Sequence, residues 1–247
     1  MSRDPARGLA QFFGGRLCLD FANTLDWRLT SEPQELIPDY ATFLRWSRMR
    51  GLLPAAAIDR LQALSARQAA TAEMVMREVR ALRDDICRAA NALCHRDQAA
   101  HHHTLDLAPF NHRLATLPAQ PRLVPVTPAG DQIDPAGNAG LGIGPSGTAS
   151  GVLGPAGSGR EAISYVYDLP GRTLEEPLWP ILWSWAALLT SLDATRLGSC
   201  QGQGCGWFFV DESPNHSRLW CSSEVCGNRE RARRAYAKRR AIATPAG

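Results

Sequence analysis

The stretch Cys200-Gln201-Gly202-Gln203-Gly204-Cys205, separated by fifteen residues from Cys221-Ser222-Ser223-Glu224-Val225-Cys226-Gly227-Asn228-Arg229, decides with it the fold of the C-terminal part of this chain. Each half is a C-x4-C knuckle, looser than the usual C-x2-C. Paired knuckles bring four thiolates together, enough to close a tetrahedral shell around one Zn²⁺ at about 2.3 Å. A closed shell of four sulfurs leaves no open coordination position, so such a metal is structural. The segment between the knuckles agrees. Trp207-Phe208-Phe209-Val210 reads as a short strand and Asp211-Glu212-Ser213-Pro214-Asn215 as a turn. A strand and turn after the first knuckle, then a helix from the second, give a treble-clef-like finger. The competing readings are two disulfides or four unrelated buried thiols. Disulfides need an oxidising compartment, and nothing in the sequence points to one. The chain has seven cysteines, an odd total that argues against a disulfide framework. Cys18, Cys87 and Cys94 stand in apolar-periodic surroundings and read as buried thiols.

Charge is uneven around this module. The chain carries a formal +3, yet from Cys200 onward eight bases face four acids. From Arg229 onward seven bases face Glu230 alone: Arg229, Arg231, Arg233, Arg234, Lys238, Arg239 and Arg240. On a helix starting at the second knuckle, Arg229, Arg233, Tyr236 and Arg240 share one face, and Arg231, Arg234 and Lys238 share another. Bases on both sides of one helix suit a groove flanked by phosphates, so nucleic acid is the first expected partner. A solvated charged tail is the plainer reading.

The preceding part reads as mainly helical. Leu17-Cys18-Leu19-Asp20-Phe21-Ala22-Asn23-Thr24-Leu25 mixes apolar and polar residues in a short element, after a loose lead-in ending in Gly14-Gly15. Asp39 is placed to cap a helix that Gly51 stops. Residues 58–94 contain neither Gly nor Pro, and the apolar spacing predicts two helices breaking near Ser65 or running on nearly unbroken. Leu105 to Leu117 reads as another short helix, and Glu175 to Leu192, with Trp179, Trp183 and Trp185, as a central core helix. Arg122–Val126 and Ala162–Tyr167 read as two strands of a hairpin, Pro125 putting the first at an edge. Between them, ten of residues 129–160 are glycine, which predicts a mobile loop unable to bury enough apolar surface to offset its ordering. His101-His102-His103 reads as an exposed loop, since adjacent histidines cannot all face one ion from a regular element.

The apolar stretch 178–192 is too short to span a bilayer. The start of the sequence shows no apolar signal core. A cytoplasmic, soluble protein without a membrane role is therefore expected.

Cys226-Gly227-Asn228-Arg229, with Trp207-Phe208-Phe209-Val210-Asp211 and Arg218-Leu219-Trp220-Cys221, resembles the CGNR zinc finger family. Leu19-Asp20-Phe21-Ala22-Asn23-Thr24-Leu25 resembles the start of the ABATE domain, which usually precedes that finger. Together the two resemblances span nearly the whole chain. They imply an ABATE-like domain over residues 1–193, a CGNR-type finger with a basic helix over 194–243, and a bacterial transcription regulator whose first domain senses a small molecule. The fold expected is α+β and mainly helical: a helical domain with a small strand pair, then the four-cysteine finger. One structural Zn²⁺ on Cys200, Cys205, Cys221 and Cys226 is the expected cofactor. DNA is the expected partner, with homodimer formation left open. Asp20, Asn23, Thr24 and Arg28, polar groups in an apolar context, are the candidates for an effector site or for caps. Asn228 and Arg229 are equally open to capping the knuckle. Two other classes remain: a protein-interaction or RNA-binding finger, and an enzymatic first domain. No nucleophile elbow, phosphate loop or paired-His motif supports the latter, so a non-enzyme is expected.

Overall fold

The fold was obtained as a computed structural model, which describes residues 8–95, 105–117, 121–126, 162–167 and 169–243. The glycine-rich stretch 129–160 and the triple histidine lie outside the described residues.

Helices dominate. Element α1 (Leu17–Ala22) is buried along its whole length and leads into a small antiparallel pair, β1 (Leu25–Asp26) and β2 (Gln34–Glu35). Helix α2 (Tyr40–Met49) starts where Asp39 accepts the Thr42 N–H at 2.7 Å, and ends before Gly51 at φ +65°. A side-chain cap on an orphan amide and a left-handed glycine just past the end are the expected stop signals. Helices α3 (Ala55–Arg67) and α4 (Ala69–Cys94) break at Gln68, whose extended φ of −126° interrupts the ladder three residues beyond the predicted point. Helix α5 (Ala108–Ala115) is shorter than expected, starting where Asp106 accepts the Ala108 N–H. Strands β3 (Pro121–Val126) and β4 (Ala162–Tyr167) pair antiparallel from Pro121↔Tyr167 to Val126↔Ala162, as the hairpin reading expects.

Helix α6 (Leu178–Leu189) is the core helix, with Trp179, Ile181, Leu182, Trp185 and Leu188 buried against α1 and α4. It begins three residues later than predicted because Glu176 is used otherwise. Its buried carboxylate accepts the N–H groups of Gly171, Arg172 and Thr173, which tie down the preceding turn. Pro180 falls in the first turn, where a missing amide costs nothing. Among the described residues no helix is long and apolar enough to cross a membrane.

The C-terminal part is not a separate bead. After a short 3₁₀ turn (Leu192–Arg196), β5 (Leu197–Ser199) pairs antiparallel with β6 (Phe208–Val210). The sequence predicts one small strand pair in the helical domain. The described residues hold three, because the chain flanking the first knuckle pairs with itself. All three β6 residues are buried. Side chains alternate across a strand, so Phe208 and Val210 join the helical core while Phe209, with Trp207, covers the cysteines.

Buried polar groups fasten this strand to α1. Asn23 donates to the Phe208 carbonyl at 2.9 Å and accepts the Phe208 N–H at 2.8 Å. The Gly14 carbonyl accepts the Val210 N–H at 3.0 Å, and Arg16 pairs with Asp193 and Glu212. The lead-in expected to be loose is thus a strap across both parts. Gly14 has no room for a side chain, since a Cβ there would lie 2.7 Å from that of Leu19. Helix α7 (Asn228–Ala243) projects from the second knuckle.

Because Asn23 satisfies both a buried donor and a buried acceptor, Asn23→Leu strands both. It should cost about 2–4 kcal/mol in chemical denaturation of the whole chain. A loss below 1 kcal/mol would show that the clamp carries no weight.

Candidate metal centre and basic helix

The first knuckle is shaped by the hairpin it tips. Cys200 donates its N–H to the Trp207 carbonyl at 2.7 Å, and Cys205 to Gly202 at 2.9 Å. Gly204 and Gly206 take φ of +77° and +71°, left-handed turns that put Cys205 back beside Cys200. The second knuckle is a single wide turn, Ser223–Gly227, whose start is capped by Ser222 Oγ accepting the Val225 N–H. The Gln201 N–H donates to the Leu219 carbonyl at 3.0 Å and brings the knuckles together.

All four cysteines are buried, and their sulfurs lie within 4.8 Å of one another. Cys205 and Cys221 sulfurs are 3.8 Å apart, those of Cys221 and Cys226 3.5 Å. Four sulfurs each about 2.3 Å from a tetrahedral ion sit about 3.8 Å from one another. The donor set and its spacing therefore fit one zinc ion. Packed this closely, the thiols hold protons unequally. Hydrogen bonds from Cys205, Cys221 and Cys226 push the Cys200 thiol down, while its bonds to Cys200 and the other two push Cys221 up. Zinc needs all four thiolates, so its binding releases protons and weakens in acid.

Arg218, which stands in the Arg218-Leu219-Trp220-Cys221 stretch that resembles the CGNR family, braces the centre. Its guanidinium donates to the carbonyls of Phe13, Val210, Trp220 and Cys221 and lies 4.2 Å from the Phe209 ring centroid. Asp211 orders the turn between the knuckles. Burial pushes its carboxyl up, but hydrogen bonds from Ser213 and the Arg218 N–H outweigh this and hold it below the usual range. Glu230 was legible as the one acid among seven bases. Buried, it accepts the Gln203 N–H at 3.0 Å and pairs with Arg233 at 2.8 Å, anchoring the first turn of α7 to the first knuckle.

The seven bases divide. Arg229, expected among the phosphate contacts, turns inward: its guanidinium donates to Cys226 Sγ at 3.2 Å and lies 4.2 Å from the Trp27 ring centroid. It is a brace of the centre, because α7 leaves the knuckle with this side against the first domain. Asn228 donates to the Glu224 carbonyl at 2.8 Å and closes the wide turn. Residues 231–240 are exposed. Arg231 bonds the Asn228 side chain and the Ser223 carbonyl. Arg234, Lys238 and Arg239 point into solvent.

A CGNR zinc finger model matches residues 196–239. The ABATE model, whose family bears the description "Putative stress-induced transcription regulator", matches residues 15–192. The chain belongs to the ABATE family. Its C-terminal part is a CGNR zinc finger. No curated relative matches the chain.

Within the ABATE domain, the four effector candidates are occupied by the fold. Asp20 accepts the Gly14 N–H and pairs with Arg50 at 3.3 Å. Asn23 clamps β6. Thr24 donates to the Phe21 carbonyl and accepts from Arg83. Arg28 donates to the carbonyls of Ala22 and Gly206 and to Cys87 Sγ, and stacks over Phe208 at 4.1 Å. They are internal ties. The ABATE domain has instead a cavity of about 340 Å³ between α4, α5 and α6, walled by Leu82, Leu117, Leu178, Trp179 and Leu182 with Arg113 and Glu175 among its polar groups.

Purified protein should carry about one zinc per chain by metal analysis. Cys205→Ser should lose it and disorder the knuckles while far-UV dichroism retains the ABATE helices. Near-zero metal in wild type, or full metal in the variant, contradicts the site. A second expectation concerns Asp20. Burial pushes its carboxyl up to about 6, with Arg50 and the Gly14 N–H pulling the other way. The neutral form is then favoured by folding, and this stability is lost as pH rises through 6. Relative to Asp20→Asn, wild type should lose about 2 kcal/mol between pH 4 and 7. The comparison cancels acid-driven zinc loss common to both proteins; equal pH slopes would contradict it.

Proposed function

We propose that this protein is a DNA-binding transcription regulator, not an enzyme, in which zinc presents α7 to the phosphates of a duplex. The observation that carries the reading is the helix itself. Ten consecutive residues, 231–240, are exposed on every side of a helix rooted by its first turn. A helix without an apolar stripe gains nothing from packing on its own protein. Its sixteen residues extend about 24 Å at 1.5 Å each, and a DNA major groove about 12 Å wide admits a helix. Arg231, Arg233, Arg234, Lys238, Arg239 and Arg240 are the proposed phosphate contacts; Arg229 is not among them.

The ABATE domain is proposed to respond to a small molecule in the cavity beside Trp179. An apolar wall with a few polar groups at its rim is the usual form of such a site. The route to α7 is short: Leu82 lines the cavity, while its neighbour Arg83 bonds Thr24 and, in the hairpin that touches the first knuckle, Glu35.

The test is the salt dependence of duplex binding by the zinc-loaded full chain. Affinity should fall with a log–log slope of about −0.9 per phosphate contacted. Arg234→Ala and Lys238→Ala should each weaken binding to all sequences and flatten the slope by about one. Equal binding by metal-free and zinc-loaded protein would reduce α7 to a sticky polycation. No binding at low salt would favour a protein-interaction finger, and preferential competition by RNA an RNA-binding one.

A further inference from the structure

Two features of the zinc site are left over by the DNA reading: a base that faces the metal, and an aromatic side chain from the other domain that faces the base. Four thiolates on Zn²⁺ carry a net charge of −2 in a buried place, where uncompensated charge is costly. Among the described residues, two donors reach the sulfurs from outside the cysteine set. One is the Gly202 N–H, at 3.4 Å from Cys200 Sγ; the other is Arg229, at 3.2 Å from Cys226 Sγ. Arg229 is the cation of the two.

The face of the Arg229 guanidinium is covered by Trp27, whose ring centroid is 4.2 Å away. Trp27 stands in the β1–β2 turn with φ of +52°, a left-handed backbone that a bulky residue rarely adopts. The turn is held in that form. The Trp27 N–H donates to Asp26 Oδ1, and the Thr30 N–H and hydroxyl both donate to the Trp27 carbonyl. The same turn sits on the first knuckle: a Cβ on Gly204 would lie 2.6 Å from Thr30 Cγ2 and 3.1 Å from the Trp27 ring. The Leu29 N–H reaches the Gly204 carbonyl at 3.3 Å. Trp27 thus bridges the backbone of one knuckle and the guanidinium that serves the other.

We propose that Trp27 and Arg229 form a latch through which docking of the ABATE domain controls how tightly the finger holds its zinc. Arg229 is a positioning residue: its planar fork donates to the Cys226 thiolate while its face stacks on Trp27. A lysine ammonium cannot do both. With the ring in place the guanidinium stays on the sulfur and shields it from ligand exchange. Without the ring it swings to solvent, and Cys226 becomes the sulfur that leaves first. This rests on the zinc assignment and is independent of DNA binding.

The experiment measures the rate of zinc transfer from the full chain to excess colorimetric chelator, for wild type, Trp27→Ala, Trp27→Phe, Arg229→Gln, Arg229→Lys and the Trp27→Ala/Arg229→Gln pair. The Cys-to-metal charge-transfer band of the cobalt-substituted proteins is recorded alongside. Trp27→Ala and Arg229→Gln should each speed release about tenfold or more, in the range by which outer partners of metal ligands act. The double variant should be no faster than Arg229→Gln, and the band should shift in both single variants. Trp27→Phe should stay near wild type and Arg229→Lys should not. A wild-type rate and band in folded Trp27→Ala overturns the latch, as does a double variant whose effects multiply. Rescue by Arg229→Lys overturns it too, leaving simple charge. If Trp27→Ala fails to fold, near-equal rates for Arg229→Lys and wild type decide against it. Zinc absent from wild type would instead overturn the metal assignment itself.

Discussion

Strand β6 belongs to two cores, and the rest of the structure follows from that. Three residues cannot be stable alone. Phe208 and Val210 are buried with the α1 and α6 side chains, and Phe209 is buried with the four cysteines. Moving any one of them moves both cores. The finger is too small to bury much apolar surface, so metal closes one side of it and the ABATE core closes the other. The strap at residues 13–16 and the Asn23 clamp fix the register in which these two supports meet.

This arrangement sorts the charges. Arg16, Arg28, Arg218 and Arg229 are turned inward, where carbonyls, carboxylates, aromatic faces and a sulfur meet their donors. The bases from Arg231 to Arg240 are turned out. Net charge therefore understates how different the two groups are. Inward arginines hold carbonyls that no strand partner satisfies. Outward ones such as Arg234, Lys238 and Arg239 have little to gain from their own protein, because an exposed charge is already well solvated.

What was legible in the sequence was local. Knuckle spacing, the Asp39 cap, the apolar run of α6 and the pairing of Arg122–Val126 with Ala162–Tyr167 each have a signature within a few residues or a simple period. The less legible parts are long-range pairings of polar groups. Nothing near Asn23 signals that its amide matches a backbone 185 residues away, and nothing near Asp20, Thr24 and Arg28 signals their distant partners Arg50, Arg83 and Gly206. Helical spacing put Arg229 on a face with Arg233 and Arg240. It could not say that the first domain already covered the start of that face. Glu230 had a usable signal: a single acid in a run of bases is there for a partner.

The central claim is that the finger is folded jointly by zinc and by the ABATE core, with β6 as the shared element. Amide hydrogen exchange of the full chain with and without chelator tests it residue by residue. The Phe208 and Val210 amides, held by Asn23 and Gly14, should keep most of their protection when metal is removed. The Gly227 amide and those of the first turn of α7 should lose theirs by a factor of about ten or more, consistent with local opening. Loss of protection at Phe208 in step with Gly227, while α1 and α6 stay protected, would make the finger an independent module and contradict the account.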